Sequence, residues 1–372
     1  MRSFSPASGE LLNTSAECYH TISLKVDRAL DVFSAPTLPI TGTKREHNAA
    51  PTVRAQGIPI TERDPAPSLR STLTRECCQF TIIIVDDLAT SDLSQAVKGV
   101  DAVIHVASPL ANAAAPQVIL ETAVSGTTRI LDACLAAGVK QLIITASIVS
   151  LVSPDDFWKE ITITEKSYNP LTAEDALRPG APGSLVYWVS KGLADLAVRD
   201  FKRAHPDLDV TTIHPSYIYG PLGSGQIYNS PASGTNQFIY ELITGAPDRP
   251  VPGYDPATRG APRSVDVRDV ARAHVLALKV PASDAPKRFI VSSNRFTWKE
   301  AIEFIGQARP ELKGRLPVIT GKEPTVPPFA TVDTSATEAI LGLKNYVKWQ
   351  DTVLDTIDDL LRIEKELAVV TQ

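Results

Sequence analysis

The chain has 372 residues, a formal net charge of −5 and 43% hydrophobic residues, enough for two domains or for one large α/β domain with a smaller lobe. Lys and Arg are scattered rather than striped, which excludes a nucleic-acid or membrane-surface binder, since both need a basic patch to neutralise phosphates. The longest apolar stretches are strand-length, far below the ~20 residues that span a bilayer. The first residues lack the apolar centre of a secretory leader, so the expected location is the cytoplasm. Cys18, Cys77, Cys78 and Cys134 show no CxxC spacing, and the six histidines are dispersed without an HExxH pattern. No structural metal is expected. His105, inside AVIHVAS, reads as a core histidine rather than a ligand.

Residues 1 to about 75 are rich in Pro, Thr and Ala and weakly periodic, and 1–35 read as an N-terminal extension whose composition allows disorder. At Phe80 the texture changes. TIIIVDDL (81–88) is a continuous apolar run ending in acids, the pattern of a buried parallel strand. DAVIHVAS (101–108), QLIITAS (141–147) and DVTTIHPS (209–216) repeat it. Helices are expected between these runs: a short one over 92–98, a long one over 116–137 stopped by Gly138, and another over 184–203. Alternation of this kind predicts a Rossmann-like, doubly wound parallel sheet with its ligand edge at the strand C-termini.

After Gly220 the pattern loosens. A helical stretch around 237–244, the runs 265–280 and 288–293, a helix over 297–309 and an amphipathic helix over 348–370 predict a smaller substrate-binding lobe. The expected division is therefore 36–220 for the cofactor-binding domain and 221–372 for the lobe, with 265–293 returning to the sheet.

The sharpest chemical signal is Tyr187-Trp-Val-Ser-Lys191. Spacing of four puts phenol and ammonium on one helical face. A nearby ammonium stabilises phenolate and lowers the Tyr pKa toward working pH, which makes the phenol a usable general acid. Forty residues upstream, Ser147 ends the strand QLIITAS, where a hydroxyl can hydrogen-bond a substrate carbonyl beside the phenol. Alone, each has a bland alternative: a surface pair on a helix, or a strand-end cap. The ordered set on successive β–α elements favours the catalytic reading.

From about Cys78 to Leu361 the chain resembles the extended short-chain dehydrogenase/reductase family, in particular its dihydroflavonol-reductase-like and fungal ketone- and aldehyde-reducing branch. The resemblance rests on VDDL (85–88), AVKGVDAVIHVASPL (96–110), TAVSGT (122–127), IITAS (143–147), YWVSKGLAD (187–195), IHPSYIYGP (213–221) and VDVRDVARAHVLAL (265–278). It implies Tyr187 as proton donor, Lys191 as the group that lowers its pKa and holds the nicotinamide ribose, and Ser147 as the residue that polarises the carbonyl. It further implies that Asp87 and Leu88 contact the adenine end of NADP (NAD being the alternative) and that Val106, Ala107 and Ser108 line the cofactor. Pro215 and Ser216 would sit near the nicotinamide amide. Substrate and setting follow: a small carbonyl compound, reduced by a monomer or homodimer, with no nucleic-acid or membrane partner.

The family opens with a TGxxGxxG turn whose glycines let the pyrophosphate approach backbone N–H groups. The only candidate here keeps Thr41 and Gly42 but has Arg45 and Asn48 at the later glycine positions. Three readings stay open: a diverged but working loop, a wrongly drawn first exon, or a true loss leaving a non-redox relative. Arg63 and Arg70, after the second strand by resemblance, suit the 2′-phosphate of NADP or are ordinary loop charges. Arg129 stands where many relatives carry Asn, which leaves proton relay through that helix unassigned. Two further functions compete with a reductase: a nucleotide-sugar epimerase or dehydratase, and a catalytically impaired binding protein. An apolar pocket built from Ile218, Tyr219, Tyr228 and Phe238 speaks against the epimerase.

Overall fold

The computed structural model describes residues 21–24, 83, 85, 87–109, 114–222, 230–231, 234–246, 248–254, 263–283 and 287–370. In chain order the strands are β1 (Thr21–Leu24), β2 (Ala102–His105), β3 (Gln141–Thr145), β4 (Thr162–Ile163) and β5 (Asp209–Pro215). They continue with β6 (Tyr217–Tyr219), β7 (Arg263–Asp266), β8 (Lys287–Val291), β9 (Asn294–Arg295) and β10 (Thr331–Val332). The helices are α1 (Pro116–Ala137), α2 (Pro154–Phe157), α3 (Ala173–Leu177) and α4 (Gly183–Ala204). After them come α5 (Asn236–Leu242), α6 (Val267–Ala277), α7 (Trp298–Ala308) and α8 (Trp349–Val370).

The main sheet has the order β1-β2-β3-β5-β8. β2, β3, β5 and β8 are mutually parallel, as the continuous apolar runs require. Successive side chains go to opposite faces, and the two cores follow that alternation. Val103, Leu142, Ile144 and Val210 pack against Ile130, Leu131 and Cys134 of α1 and Val198 of α4. Ala102, Ile104, Ile143 and Ile213 pack on the other face against Val270, Ala273 and Ala277 of α6. α1 starts on Pro116, where a missing N–H costs nothing, and stops at Gly138, whose φ of 71° lets its N–H turn back to the Cys134 and Leu135 carbonyls.

A second body of apolar side chains holds the C-terminal lobe. Val353, Ile357 and Leu360 of α8 meet Ile302 and Ile305 of α7, Ile239 and Leu242 of α5, and Phe296. α7 opens with a capping box, Thr297 Oγ1 accepting from the Glu300 N–H and Glu300 Oε2 accepting from the Thr297 N–H. Two small sheets, β6-β7-β9 and β4-β10, link the lobe to the main sheet. Within 265–293, β8 joins the main sheet while β7 belongs to the three-stranded one.

Three expectations from sequence come out differently. Of the run 81–86, only Ile83 and Val85 are described, and neither is in a strand. The place beside β2 is instead taken by β1, from the segment read as an extension, and β1 runs antiparallel to β2. The expected helix over 92–98 is a series of turns, which still buries Leu93 and Val97. Those two anchors satisfy the apolar pattern without a helix.

Candidate active site

Ser147 follows the end of β3 in extended conformation and caps the 3-10 turn Ile148–Ser150, its Oγ accepting from Val149 N at 3.4 Å. Asn169 braces this turn from below, donating to the Val149 carbonyl at 3.0 Å and to the Trp188 carbonyl of α4 at 3.2 Å. That brace sets β3 and α4 at a fixed separation. Tyr187 is half-buried on α4 and interacts with the Ser147 hydroxyl. Burial pushes the phenol above its ordinary value, and the hydrogen-bonding influence of Ser147 acts the other way.

Lys191, one turn further along α4, is buried and donates from Nζ to the Thr145 carbonyl at 3.3 Å. Burial pushes its ammonium down to about 8, opposed by the nearby Asp195 carboxylate. The ammonium is aimed at the main chain of β3, and the groups that set the Tyr187 phenol are its burial and Ser147.

Behind these residues lies a buried polar cluster that the motifs do not reveal. Asp195 pairs with Arg288 of β8, and its other oxygen lies 3.8 Å from His214 Nε2. His214 sits with Nδ1 at 3.0 Å from Ser150 Oγ and Nε2 at 2.8 Å from Thr212 Oγ1. A buried strand written RFIV, with a cation inside it, is the one sequence signal for this arrangement, because a buried guanidinium needs a partner.

Two adjoining cavities flank the site. One is lined by Asp87, Leu88, Ala107, Ser108 and Gly126. The other reaches Thr145, Lys191 and Asp195, and both share His105, Ala107, Ser108 and Thr127 as wall. Asp87, Leu88, Ala107 and Ser108 thus line one cleft. Val106 is exposed and lines neither cavity, because alternation sends it to the opposite side from Ala107. Asp87 uses its carboxylate on Ala89 N and Thr90 Oγ1, both at 2.8 Å. Arg129 holds the same turn from α1, donating to the Thr90 and Ser91 carbonyls, which gives it a structural task.

Pro215 ends β5 and Ser216 follows it, buried, its Oγ without a hydrogen-bond partner. Gly42, Arg63 and Arg70 lie outside the described residues, as does Tyr228. Of the residues expected to form an apolar pocket, Tyr219 is fully buried in the lobe core and Ile218 packs under the sheet. Phe238 stacks edge-on against Tyr217 with centroids 6.2 Å apart. Alternation along β6 sends Tyr219 into the lobe core and Ile218 into the core under the main sheet, so the two do not line a shared pocket.

Residues 31–292 match the model of the NAD dependent epimerase/dehydratase family, and the chain belongs to that family. It is 30% identical to a ketoreductase of Aspergillus niger, over 70% of this chain and 77% of that one. It is 26% identical to the NADPH-dependent methylglyoxal reductase GRE2 of Saccharomyces cerevisiae, over 77% of this chain and 85% of that one. The crystal structure of Gre2 from Candida albicans in complex with NADPH superposes with a TM-score of 0.65 at 27% identity, covering 75% of this chain and 83% of that one. Among the described residues no helix is long and apolar enough to cross a membrane, and no group of His, Cys, Asp and Glu is arranged to hold a metal ion.

Proposed function

We propose that the chain is an NADPH-dependent reductase of a small ketone or aldehyde, acting in the cytoplasm as a monomer or homodimer. The observation that carries this reading is the convergence of Ser147, Tyr187 and Lys191 from β3 and α4 beside the cleft that also holds Asp87, Leu88, Ala107 and Ser108. The described residues fit a dinucleotide. The cleft offers an apolar wall near Asp87, and Ser216 Oγ, buried at the end of β5 outside both cavities, is a polar atom without a hydrogen-bond partner. When bound, NADPH supplies the hydride.

The protein's part is orientation and proton delivery. Ser147 Oγ hydrogen-bonds the substrate carbonyl oxygen and withdraws charge from it. Tyr187 gives its phenolic proton to that oxygen as alkoxide character grows, and is suited to donate because burial keeps it protonated at neutral pH. Lys191 presents a positive charge one helical turn away, where it favours the phenolate left behind and can hold a ribose hydroxyl.

The test is direct. Purified protein is titrated with NADPH and with NADH while nicotinamide fluorescence is followed, and then offered a panel of ketones and aldehydes. Preferential NADPH binding with carbonyl-dependent oxidation is expected. Binding of neither nucleotide, or binding with no turnover of any carbonyl, would favour the impaired binding protein.

A further inference from the structure

The contacts of the His214 imidazole fix where its proton sits. Nδ1 lies 3.3 Å from the Ser147 carbonyl and 3.0 Å from Ser150 Oγ. A carbonyl oxygen only accepts. Ser150 Oγ spends its one proton on the same Ser147 carbonyl, at 2.7 Å, so toward the ring it too only accepts. Both neighbours of Nδ1 therefore require a proton on that nitrogen. At the other end of the ring, Thr212 Oγ1 is 2.8 Å from Nε2, while Asp195 Oδ1, at 3.8 Å, is beyond hydrogen-bond reach. Burial pushes the imidazole down to about 4, so the ring is neutral at working pH. A proton on Nδ1 then leaves Nε2 bare, ready to accept from the Thr212 hydroxyl.

We propose that His214, held as the neutral Nδ1–H tautomer, is a positioning residue for Ser147. It donates to the Ser147 carbonyl and the Ser150 hydroxyl, and so fixes the turn that presents the Ser147 hydroxyl. This rests on the role given to Ser147 above. His214 is fully buried and lines neither cavity, so it acts through Ser147 rather than on the substrate.

The turn needs such a hold. It is only three residues long, Ile148–Ser150, and 3-10 hydrogen bonds have poor geometry. Ser150 N reaches the Ser147 carbonyl at 3.0 Å, and Ser147 Oγ accepts from Val149 N at a long 3.4 Å. The imidazole adds a contact from β5, whose Ile213 stands opposite Thr145 of β3 in the sheet register. His274 of α6 reaches the same strand end differently. Its Nδ1 is 2.8 Å from the Val270 carbonyl and its Nε2 is 2.7 Å from Thr145 Oγ1. That ring grips a side chain two residues before Ser147, whereas His214 contacts the Ser147 main chain itself.

Two magnetic-resonance measurements on the whole chain without nucleotide test this and need no turnover. In protein labelled with nitrogen-15 histidine, long-range ring correlations report which nitrogen carries the proton, and the His214 ring is assigned by its loss in His214→Asn. A proton on Nδ1 and a bare Nε2 are expected at neutral pH, and a proton on Nε2 overturns the proposal. This measurement uses the wild type, so it decides even if a variant fails to fold. Ser147–Ile148 is the sole Ser-Ile pair in the sequence, so carbon-13 carbonyl serine with nitrogen-15 isoleucine isolates the Ser147 carbonyl resonance. His214→Leu should move that resonance upfield, as loss of a hydrogen bond does. His214→Asn, whose amide N–H stands near the place of Nδ1, should bring it back. A carbonyl resonance unmoved by His214→Leu would refute the contact. With NADPH and a carbonyl substrate, His214→Leu should lower kcat by up to about 10²-fold with NADPH affinity unchanged, and His214→Asn should restore it. Equal loss of kcat and of NADPH affinity in both variants would mark general structural damage and defeat the positioning role. Failure of the reductase reading would appear separately, as absent turnover in a wild-type chain that still shows the Nδ1–H ring and the His214-dependent carbonyl.

Discussion

Lys191 donates to the main-chain carbonyl of Thr145 at 3.3 Å, only two residues before Ser147 on the same strand end. The ammonium and the catalytic hydroxyl are therefore registered by the backbone of β3 rather than by each other. A shift of α4 along the sheet would disturb proton donor and ammonium together while leaving Ser147 in place. The site is thus a β3 component and an α4 component, and substitutions on either side should separate.

On the α4 side, Tyr187→Phe removes the proton donor without altering shape. Turnover should fall by about 10²–10⁴-fold, while NADPH affinity measured by fluorescence changes little. Lys191→Ala should reduce both, since it removes the charge and the donor. A Phe variant with near-normal turnover would show that the proton comes from another group.

On the β3 side, Ser147→Ala removes a donor to the developing oxyanion, a loss worth about 10²–10³-fold in turnover. It also removes the influence that holds the phenol down, so the Tyr187 phenol should rise further. The measurement is the pH profile of turnover. The alkaline limb should move upward in Ser147→Ala, and an unmoved limb would mean that the two hydroxyls do not communicate.

Stability should fall in mild acid. His105 and His214 are pushed from 6.5 to about 4 by burial. Between those values the unfolded chain holds more protons than the folded one, so stability is lost as pH falls through that window and is level above it. Each imidazole is worth on the order of 3 kcal/mol when fully expressed. Denaturant titrations at pH 7 and pH 5 check the sign. His214→Gln should flatten the slope by up to one proton, about 1.4 kcal/mol per pH unit.

Gly220 follows β6 with a φ of 139°, and a Cβ there would lie 2.6 Å from Val267 Cγ1. Gly220→Ala should destabilise the chain by about 1–3 kcal/mol or more, from strain and overlap combined. Adding Val267→Ala should recover only the overlap. Denaturation midpoints of the three proteins separate the two contributions, and full recovery in the double variant would mean that the backbone angle is unstrained.

NADPH affinity is the fifth expectation. β1 runs antiparallel, with Leu24 opposite Ala102, so the chain leaves it at the edge of the sheet away from the cleft. In the sequence, Arg45 and Asn48 stand where the later glycines of a TGxxGxxG pattern would fall after Thr41 and Gly42. Weak NADPH binding is expected, and grafting a TGxxGxxG turn at 41–48 should tighten it, each tenfold corresponding to ~1.4 kcal/mol. Tight binding by the unmodified chain would instead identify a diverged, working loop.

Long, capped and strongly periodic elements were legible from sequence. α1 and α4 lie within a residue of their expected limits because apolar spacing, Pro116 and Gly138 all mark the same boundaries. The run around Ile83 and Val85 was not, since a short apolar segment reads alike whether it pairs in a sheet or merely packs. Val85 does pack against the α1 side of the core. Ser147, Tyr187 and Lys191 could be found because their chemistry follows local spacing. Asp195 and Arg288 could not, because the two charges are 93 residues apart and only folding brings them together.

The terminal helix has a consequence for how the protein is made. α8 donates from Thr352 to the buried Asp266, meets Arg268 through Asp355, and accepts the Leu222 N–H at Asp359 just beyond Gly220. It also completes the lobe core with Val353, Ile357 and Leu360. Every partner in that set precedes α8 in the chain. On the ribosome the parallel strands can therefore assemble as they emerge, whereas the lobe stays open until α8 has left the exit tunnel. The interval between those two events is when the apolar sides of α5 and α7 are bare, and it is the stage of synthesis at which a chaperone has most to cover.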